Sequence, residues 1–245
     1  MKLDLNADLG EGCGDDAALM GVITSANICC GIHAGGPVLM AQSMAQAARA
    51  GVGIGAHPGF EDRAHFGRTR QDLGLADLTA LIAYQTGAAL AVAQTQGLTL
   101  RHFKLHGALA NMASEDADLA RACYRAARAV APDLVLMVLA ATAQEQAARD
   151  IGGPWAGEIF ADRAYNDDAT LVDRARPGAV LHDPAVAAAR ILEMLHAGAI
   201  IARSGHQIAA RIDTVCLHGD TPEALVMARA LRAALQGAGV TLAPL

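Results

Sequence analysis

The sequence predicts an α/β protein in which about seven strand and helix units alternate, and it favours a closed or distorted (β/α) barrel. Short apolar runs alternate with helical segments along the 245 residues, and 53% of the residues are hydrophobic, which is enough to bury a large core. The apolar runs also end repeatedly at a polar side chain. An open doubly wound sheet concentrates its site at one switch point, so polar endings on nearly every strand favour the barrel.

Four strands are predicted in the first half of the chain, over LDLNAD, SANICC, VGIGAH and TLRHFKLH. Pro37 suits the first turn of the helix after the second strand, and Gly51 suits its carboxyl cap. A further helix is predicted from about Ala76 to Gln96. The stretch from Pro58 to Leu75 is polar, contains glycine and is long for a connection, which makes it a candidate active-site loop.

The next two helices are predicted from their capping residues. Ser114, which two acidic residues follow, is predicted to cap a helix that ends before Pro132. The buried strand DLVLMVLA comes next. Thr142 and Glu145 then have the spacing of a capping box for a helix that Gly152 closes.

The last third of the chain continues the alternation. A strand at GEIFADR is followed by a second long polar loop from Tyr165 to His182. A helix is predicted to begin at Asp183 and to end at Gly198. The segment IIARSGHQIAARI is predicted to form a small hairpin, and DTVCLHG a final strand before a helix that starts at Thr221.

Composition excludes several classes of partner. The net charge is -6 and aromatic residues make up 3%, so the chain has neither a basic stripe for phosphates nor many rings on which bases stack. The five cysteines include no C-x-x-C pair and are interpreted as small buried residues. No signal segment is recognised, and no uninterrupted apolar run reaches about 18 residues. We therefore expect a cytoplasmic protein that binds neither nucleic acid nor membrane.

Polar side chains end the predicted strands, and the carboxyl ends of parallel strands meet on one face of the fold. Lys104 and His106 alternate with apolar residues, so they share a face, and a buried lysine without a function is rare. Taken singly, Asn6 and Asp8 suit backbone capping as well as catalysis, and His57, which precedes a proline, suits a plain strand end. The candidate site residues are Asn6, Asp8, Asn27, His33, His57, Lys104, His106, Asp162, Arg163, His218 and Asp220.

The sequence contains no recognised nucleotide-binding motif, but several of its residues could bind a metal. No G-x-x-x-x-G-K-[ST] sequence occurs, and the glycines at 51–55 lie within a strand, so neither a Walker A loop nor a dinucleotide fingerprint is supported. Asp8, His33, His57 and His106 are ligand types that suit zinc or a similar ion. Their spacing is not a local ligand motif such as H-E-x-x-H, so the sequence leaves a divalent metal open.

Six motifs resemble one known family in order along essentially the whole chain. The motifs LNADLGEG, SANICCGIHAGGP, GAHPGFEDRAHFGR, KLHGALAN, EIFADRAY and CLHGD are similar to those of the LamB/YcsF family. The resemblance implies a distorted seven-stranded (β/α) barrel over residues 1–245 as a single domain. It also implies the role of the A subunit of the ATP-dependent 5-oxoprolinase, a cytoplasmic hydrolase that opens the lactam ring of 5-oxoproline to L-glutamate with partner subunits B and C. ATP is then a co-substrate.

The candidate residues suit this chemistry. A lactam is a resonance-stabilised amide, and phosphorylation of its oxygen would ease attack by water, which needs a base and a cationic partner for the oxyanion. We expect Asp8 with His57 or His106 as the base and its orienting group, and Lys104 and Arg163 as stabilisers of phosphate or oxyanion. The residues expected to position the substrate are Asn6, Asn27, His33, Asp162 and His218.

Two other functions remain open at this point. One is a stand-alone metal-dependent hydrolase or deacetylase on a related barrel, and the other is a non-catalytic binding subunit. Since no phosphate-binding loop is recognised, ATP is expected to bind on a partner subunit or in a site of unfamiliar form.

Overall fold

The computed structural model describes residues 1–217 and 224–245. Strands and helices alternate through most of the chain, with a short 3-10 turn at Arg63–His65. The elements in chain order are β1 (Lys2–Leu9), α1 (Asp16–Met20), β2 (Ser25–Cys29), α2 (Pro37–Ala50), β3 (Gly53–His57), α3 (Leu75–Thr95), β4 (Leu100–Lys104), α4 (Gly107–Glu115), α5 (Ala117–Val130), β5 (Val135–Leu139), α6 (Ala143–Ile151), β6 (Trp155–Phe160), α7 (Pro184–Ala197), β7 (Ala199–Ile201), β8 (Gln207–Ala209), β9 (Thr214–Leu217), α8 (Ala224–Gly237) and β10 (Thr241–Leu242).

Parallel pairing closes the main sheet into a barrel. Strands β1 to β6 lie side by side in chain order, and β9 pairs with both β6 and β1. Seven parallel strands therefore form the closed ring among the described residues. The short β10 adds to the first residues of β1, and β7 and β8 form the predicted separate hairpin. The barrel predicted from the strand endings is confirmed.

The interior of the barrel is polar, because inward side chains at every second residue carry polar groups. At its amino-terminal end, Asp4 Oδ1 accepts hydrogen bonds from Thr24 and Ser25, each at 2.7 Å, and Oδ2 accepts one from Thr214 at 2.6 Å. Burial raises the pKa of Asp4, and these hydroxyl donors oppose the shift. A carboxyl group thus links β1, β9 and the start of β2.

A further layer of hydrogen bonds lies above Asp4. Asn6 Nδ2 donates to Thr214 Oγ1 at 2.7 Å, and Asn27 Nδ2 donates to Asn6 Oδ1 at 2.7 Å. His102 Nε2 lies 2.8 Å from Asn27 Oδ1 and donates to it, since a carbonyl oxygen only accepts. The polar side chains inside the barrel therefore bond to one another from strand to strand, while His102 Nδ1 has no hydrogen-bond partner among the described residues.

The helices surround this ring, and most predicted ends are confirmed. Pro37 lies in the first turn of α2 and Gly51 caps it in the left-handed region, with φ of 70°. Thr142 caps α6 by accepting from the Gln144 N–H, and Asp183 caps α7. By length and mean hydropathy alone, α3 is the one helix among the described residues that could cross a membrane. It instead packs against α2, α5 and the barrel strands β3 and β4.

The predicted cap at Ser114 is wrong. Residues 107–115 form α4, directly after β4, and Ser114 lies within its last turn, where its hydroxyl donates to Asn111 O at 2.7 Å. The cap of α5 is Asp116, whose Oδ1 accepts from the Asp118 N–H at 2.8 Å and the Leu119 N–H at 3.2 Å. The carboxylate of Asp116 also complements the amino end of the helix dipole.

Gly55 on β3 leaves room for the His102 ring inside the barrel. A Cβ atom at position 55 would lie 2.1 Å from His102 Cδ2, so Gly55→Ala must displace the ring and break its bond to Asn27. We expect the substitution to lower the free energy of unfolding by about 1–3 kcal/mol, measured by chemical denaturation. Gly237→Ala is the control, since a Cβ atom at position 237 would have no neighbour within 4 Å. Equal stability of the two variants would contradict the packing argument.

Candidate active site

A cavity of about 680 Å³ lies at the carboxyl ends of the barrel strands, within the size range of small-molecule sites. One part of its lining is ionisable and the other is apolar, including Met137, Leu139 and Phe160. The ionisable residues of the inner lining are Asp8, Glu11, His57, Lys104, His106, Glu158 and Arg163. All five residues that were expected to be catalytic therefore line one cavity, namely Asp8, His57, Lys104, His106 and Arg163.

Lys104 ends β4 and is 4% exposed. Its Nζ lies 3.0 Å from Asp8 Oδ1, 2.8 Å from Glu158 Oε1 and 3.0 Å from Cys216 Sγ. Burial alone would lower the pKa of Lys104, but the carboxylates of Asp8 and Glu158 outweigh it and hold the pKa well above its ordinary value, and the hydrogen bond to Cys216 acts in the same direction. Lys104 is therefore a permanent cation at neutral pH, suited to stabilise negative charge rather than to accept a proton.

Asp8 is held between this ammonium and a histidine. Its Oδ1 accepts from Lys104 Nζ and, at 2.8 Å, from Asn27 Nδ2. Its Oδ2 lies 3.2 Å from His57 Nε2. The other nitrogen of His57, Nδ1, lies 3.0 Å from the Lys104 carbonyl and donates to it, which fixes the ring orientation. One carboxylate is thus oriented by residues from three other strands.

His106, at the amino end of α4, faces His57. His106 Nε2 lies 2.8 Å from the Phe66 carbonyl and donates to it, while His106 Nδ1 lies 3.0 Å from His57 Nε2. His33 stacks on His106 with ring centroids 3.8 Å apart and planes 3° from parallel. Burial, together with the nearby imidazoles, holds the pKa of His106 well below its ordinary value, and burial lowers the pKa of His33 to about 3.

Glu11, in the turn that follows β1, joins this histidine group. Its Oε1 lies 3.2 Å from His33 Nε2 and 3.6 Å from His106 Nδ1. Glu11, His33, His57 and His106 each offer one ligand atom, and these atoms all lie within 4.8 Å of one another. Imidazole nitrogens with a carboxylate are a donor set that binds divalent transition metals.

Arginines line another part of the cavity. Arg163 is 4% exposed, and its Nη2 donates to Val172 O at 2.7 Å, while its buried Nε has no hydrogen-bond partner among the described residues. Burial lowers the pKa of Arg163 to about 10, and the charges of Arg174 and Arg68 act in the same direction. Both of these arginines also line the cavity. Three neighbouring guanidinium groups make this wall suited to an anion.

The other predicted residues that the structure describes lie outside the cavity lining. Asn6 and Asn27 lie beneath it and bond to each other, Asn27 also bonds to Asp8, and His33 stacks on His106. Asp162 adjoins Arg163, whose pKa its charge raises. His218 and Asp220 lie outside the described residues.

Sequence reasoning missed several residues that the cavity brings together. Glu158 is a charged residue within an apolar strand, which is the same signal that singled out Lys104. Cys216 was interpreted only as a small buried residue, yet its sulfur contacts Lys104 Nζ. Glu11 lies in a glycine-rich turn, where no strand or helix pattern indicates the direction of a side chain. The arginines at 68 and 174 lie in the two long polar loops, the first of which was predicted to belong to the site.

Comparison with known proteins shows the family to which this chain belongs. Residues 3–245 match the model of the LamB/YcsF family. The chain is 57% identical over 246 residues to a Ruegeria pomeroyi protein named as the A subunit of 5-oxoprolinase, covering 98% of this chain and 97% of that protein. A Rhodopseudomonas palustris protein of the same name is 50% identical, with 100% and 98% covered. The chain belongs to the LamB/YcsF family.

Solved structures agree with this assignment. The crystal structure of a lactam utilization protein from Thermus thermophilus superimposes with a TM-score of 0.92 at 40% identity, and each chain is fully covered. The catalytic domain of a peptidoglycan N-acetylglucosamine deacetylase from Eubacterium rectale gives a TM-score of 0.52 at 11% identity, with 100% of this chain and 88% of that chain covered. That second likeness concerns the fold alone.

His102, beneath the cavity, predicts an acid-labile fold. Burial lowers the pKa of His102 from 6.5 to about 3, so the unfolded chain binds more protons than the folded chain between these values. The free energy of unfolding should therefore fall as pH drops through this window, with His102 contributing up to about 1.4 kcal/mol per pH unit. Denaturation of wild type and His102→Gln at pH 7, 6 and 5 measures the difference in slope.

A shallower slope in His102→Gln is the expected result. The control is His196→Gln, whose side chain is exposed, and which should keep the wild-type slope. If His102→Gln also keeps that slope, His102 is protonated in the folded state and the argument fails.

Proposed function

We propose that this chain is the A subunit of an ATP-dependent 5-oxoprolinase, which acts with subunits B and C to open the lactam ring of 5-oxoproline to L-glutamate at the expense of ATP. The relatives that carry this name match nearly the whole chain, so the proposal concerns the full barrel. The observation that carries the chemistry is the buried ammonium of Lys104 beside a histidine-oriented carboxylate in one cavity.

Asp8 is the proposed proton acceptor for the attacking water. Its Oδ2 is the oxygen directed toward His57 Nε2, while Lys104 and Asn27 occupy Oδ1, so the carboxylate is held in one orientation. His57 is the proposed orienting group: its Nδ1–H is anchored on the Lys104 carbonyl, which fixes the ring, and it holds the carboxylate when its Nε2 carries a proton. A positioned general base of this kind is worth about 10²- to 10⁴-fold in rate.

Lys104 is the proposed partner of the oxyanion. Its charge persists at neutral pH, and its ammonium is fixed by contacts on three sides, so it is preorganised where negative charge would develop in the tetrahedral intermediate. Lys104 Nζ has three N–H donors, and the sharing of these among Asp8, Cys216 and Asn6 would change as the substrate oxygen enters.

Arg163 is the proposed anion-binding residue. A phosphorylated lactam and 5-oxoproline both carry anionic oxygens, and the buried Nε of Arg163 offers a donor to such a group. Arg68 and Arg174 add positive charge to the same wall. Asn6, Asn27 and His33 are proposed to position the catalytic side chains from below, and Asp162 to position Arg163.

The need for ATP follows from the character of the amide. Hydrolysis of an unactivated lactam would require this site to supply the whole reduction of the barrier, whereas prior phosphorylation lets acid-base and charge stabilisation suffice. We place phosphorylation on a partner subunit or at an unfamiliar site, because the chain has no Walker A sequence. The five cysteines are free thiols, which suits a reducing cytoplasmic setting.

Replacement of Lys104 tests its charge. Lys104→Met removes the ammonium, so we expect turnover of the reconstituted enzyme to fall at least about a hundredfold. The variant also leaves Asp8 and Glu158 buried without their cation, so the free energy of unfolding should fall by about 3–5 kcal/mol.

A double variant separates these two effects. Lys104→Met with Glu158→Gln removes one of the stranded carboxylates, so stability should recover in part while turnover stays low. If turnover recovers together with stability, Lys104 is a structural ion-pair residue and its proposed role in the reaction is wrong.

Reconstitution tests whether this chain needs the partner subunits for turnover. The purified chain with ATP and 5-oxoproline should release neither glutamate nor ADP at a useful rate, and both should appear when the cognate partner subunits are added. Release of both by the chain alone would reveal a nucleotide site within it. Glutamate release without ATP would instead favour the stand-alone metal-dependent hydrolase, for which the Glu11, His33, His57 and His106 group is the supporting observation.

A further inference from the structure

The contact between His57 and His106 brings together two nitrogens that cannot both be bare. His57 Nδ1 donates to the Lys104 carbonyl and His106 Nε2 donates to the Phe66 carbonyl. In the neutral rings, the other nitrogens, His57 Nε2 and His106 Nδ1, then carry lone pairs. These lone pairs face each other across 3.0 Å. A positive species between them, either a proton or a metal cation, resolves the repulsion.

The surroundings of this contact favour a metal cation over a proton alone. Glu11 Oε1 lies 3.6 Å from His106 Nδ1 and 3.2 Å from His33 Nε2. In tetrahedral coordination with bonds of about 2.0–2.1 Å, neighbouring ligand atoms lie ~3.3 Å apart. Three separations among the four ligand atoms, 3.0, 3.2 and 3.6 Å, lie near that value, and all of these atoms lie within 4.8 Å of one another. A shared proton needs only two of these atoms, whereas the cluster assembles four.

The outer hydrogen bonds of the histidine rings also have the form found at metal sites. Histidines that ligate metals almost always donate the remaining ring N–H to a carbonyl or carboxylate, which fixes the tautomer and ring orientation. His57 and His106 both do so through backbone carbonyls. Glu11, His57 and His106 line the cavity, so an ion has a route of entry from solvent.

We propose that Glu11, His33, His57 and His106 form a binding site for one divalent first-row transition metal ion, with zinc as the best match to three imidazoles and one carboxylate. Asp8 lies beside this set: its Oδ1 is engaged by Lys104 and Asn27, and its Oδ2 lies 3.2 Å from His57 Nε2. The site adjoins the proposed base and the Lys104 ammonium within one cavity. The inference concerns ion binding and does not depend on the proposed 5-oxoprolinase activity.

The test is direct metal binding to the full chain after dialysis against EDTA, with no lactam or ATP present. Zn²⁺ is titrated by calorimetry, and Co²⁺ is titrated by its visible absorption, which reports the donor set and geometry. Wild type should bind one equivalent of each ion. Glu11→Gln and His106→Gln should each weaken binding by at least about tenfold, since even loss of a residue that only orients a ligand costs about 10- to 100-fold. Glu11→Gln changes little volume, and circular dichroism checks that both variants remain folded.

The control is His196→Gln, an exposed histidine on α7 that should leave binding unchanged. Absence of saturable Zn²⁺ and Co²⁺ binding by wild type would overturn the proposal and leave a shared proton between the two imidazoles. Binding that is equal in Glu11→Gln, His106→Gln and His196→Gln would overturn it as well. A chain that binds the metal but does not open 5-oxoproline with its partners would contradict only the proposed function.

Discussion

The cavity and the carboxyl-terminal end of the barrel depend on the contacts that the Lys104 ammonium makes with other strands. The ammonium joins β4 to Asp8 on β1, Glu158 on β6 and Cys216 on β9. Removing one such charge from water costs several kcal/mol, and only the surrounding carboxylates and other hydrogen-bond acceptors offset that cost. The ion pairs therefore form fully only when the strands have closed into a ring. Closing the barrel therefore also assembles the candidate site, because both depend on the same contacts of Lys104.

A polar interior makes the rest of the barrel similarly interdependent. In most barrels of this kind branched apolar side chains fill the centre. Here the centre holds four polar residues, Asp4, Asn6, Asn27 and His102. Their hydrogen bonds to one another and to Thr214 join different strands. Such a network specifies strand register, because a shift of one residue would turn every polar side chain outward. The same rigidity holds the Asp8 carboxylate in place, since Asn27 bonds to it directly.

The sequence predicted the strands and their polar ends because alternation and strand-end placement are local signals. Lys104 and His57 were found in this way, and both line the cavity. A local signal does not identify interaction partners. The partner of Glu158 is Lys104, which lies two strands away, and only the folded barrel shows this contact. The helix over 107–115 was missed because a glycine with φ of 57° begins it directly after β4, where a turn was equally compatible with the residues. Contacts made by loops, such as those of Glu11, depend on tertiary structure alone.

The charge pattern of the cavity constrains the chemistry more than any single residue. Lys104 and Arg163 stay cationic at neutral pH, while burial keeps His33 and His106 from taking up protons. The cavity therefore offers fixed positive charge and oriented nitrogen lone pairs, with Asp8 as a carboxylate between them. Fixed positive charge stabilises an oxyanion but does not by itself weaken the resonance of an amide. We infer that the site suits a lactam whose carbonyl is already activated, which is why the proposed reaction needs ATP and the partner subunits.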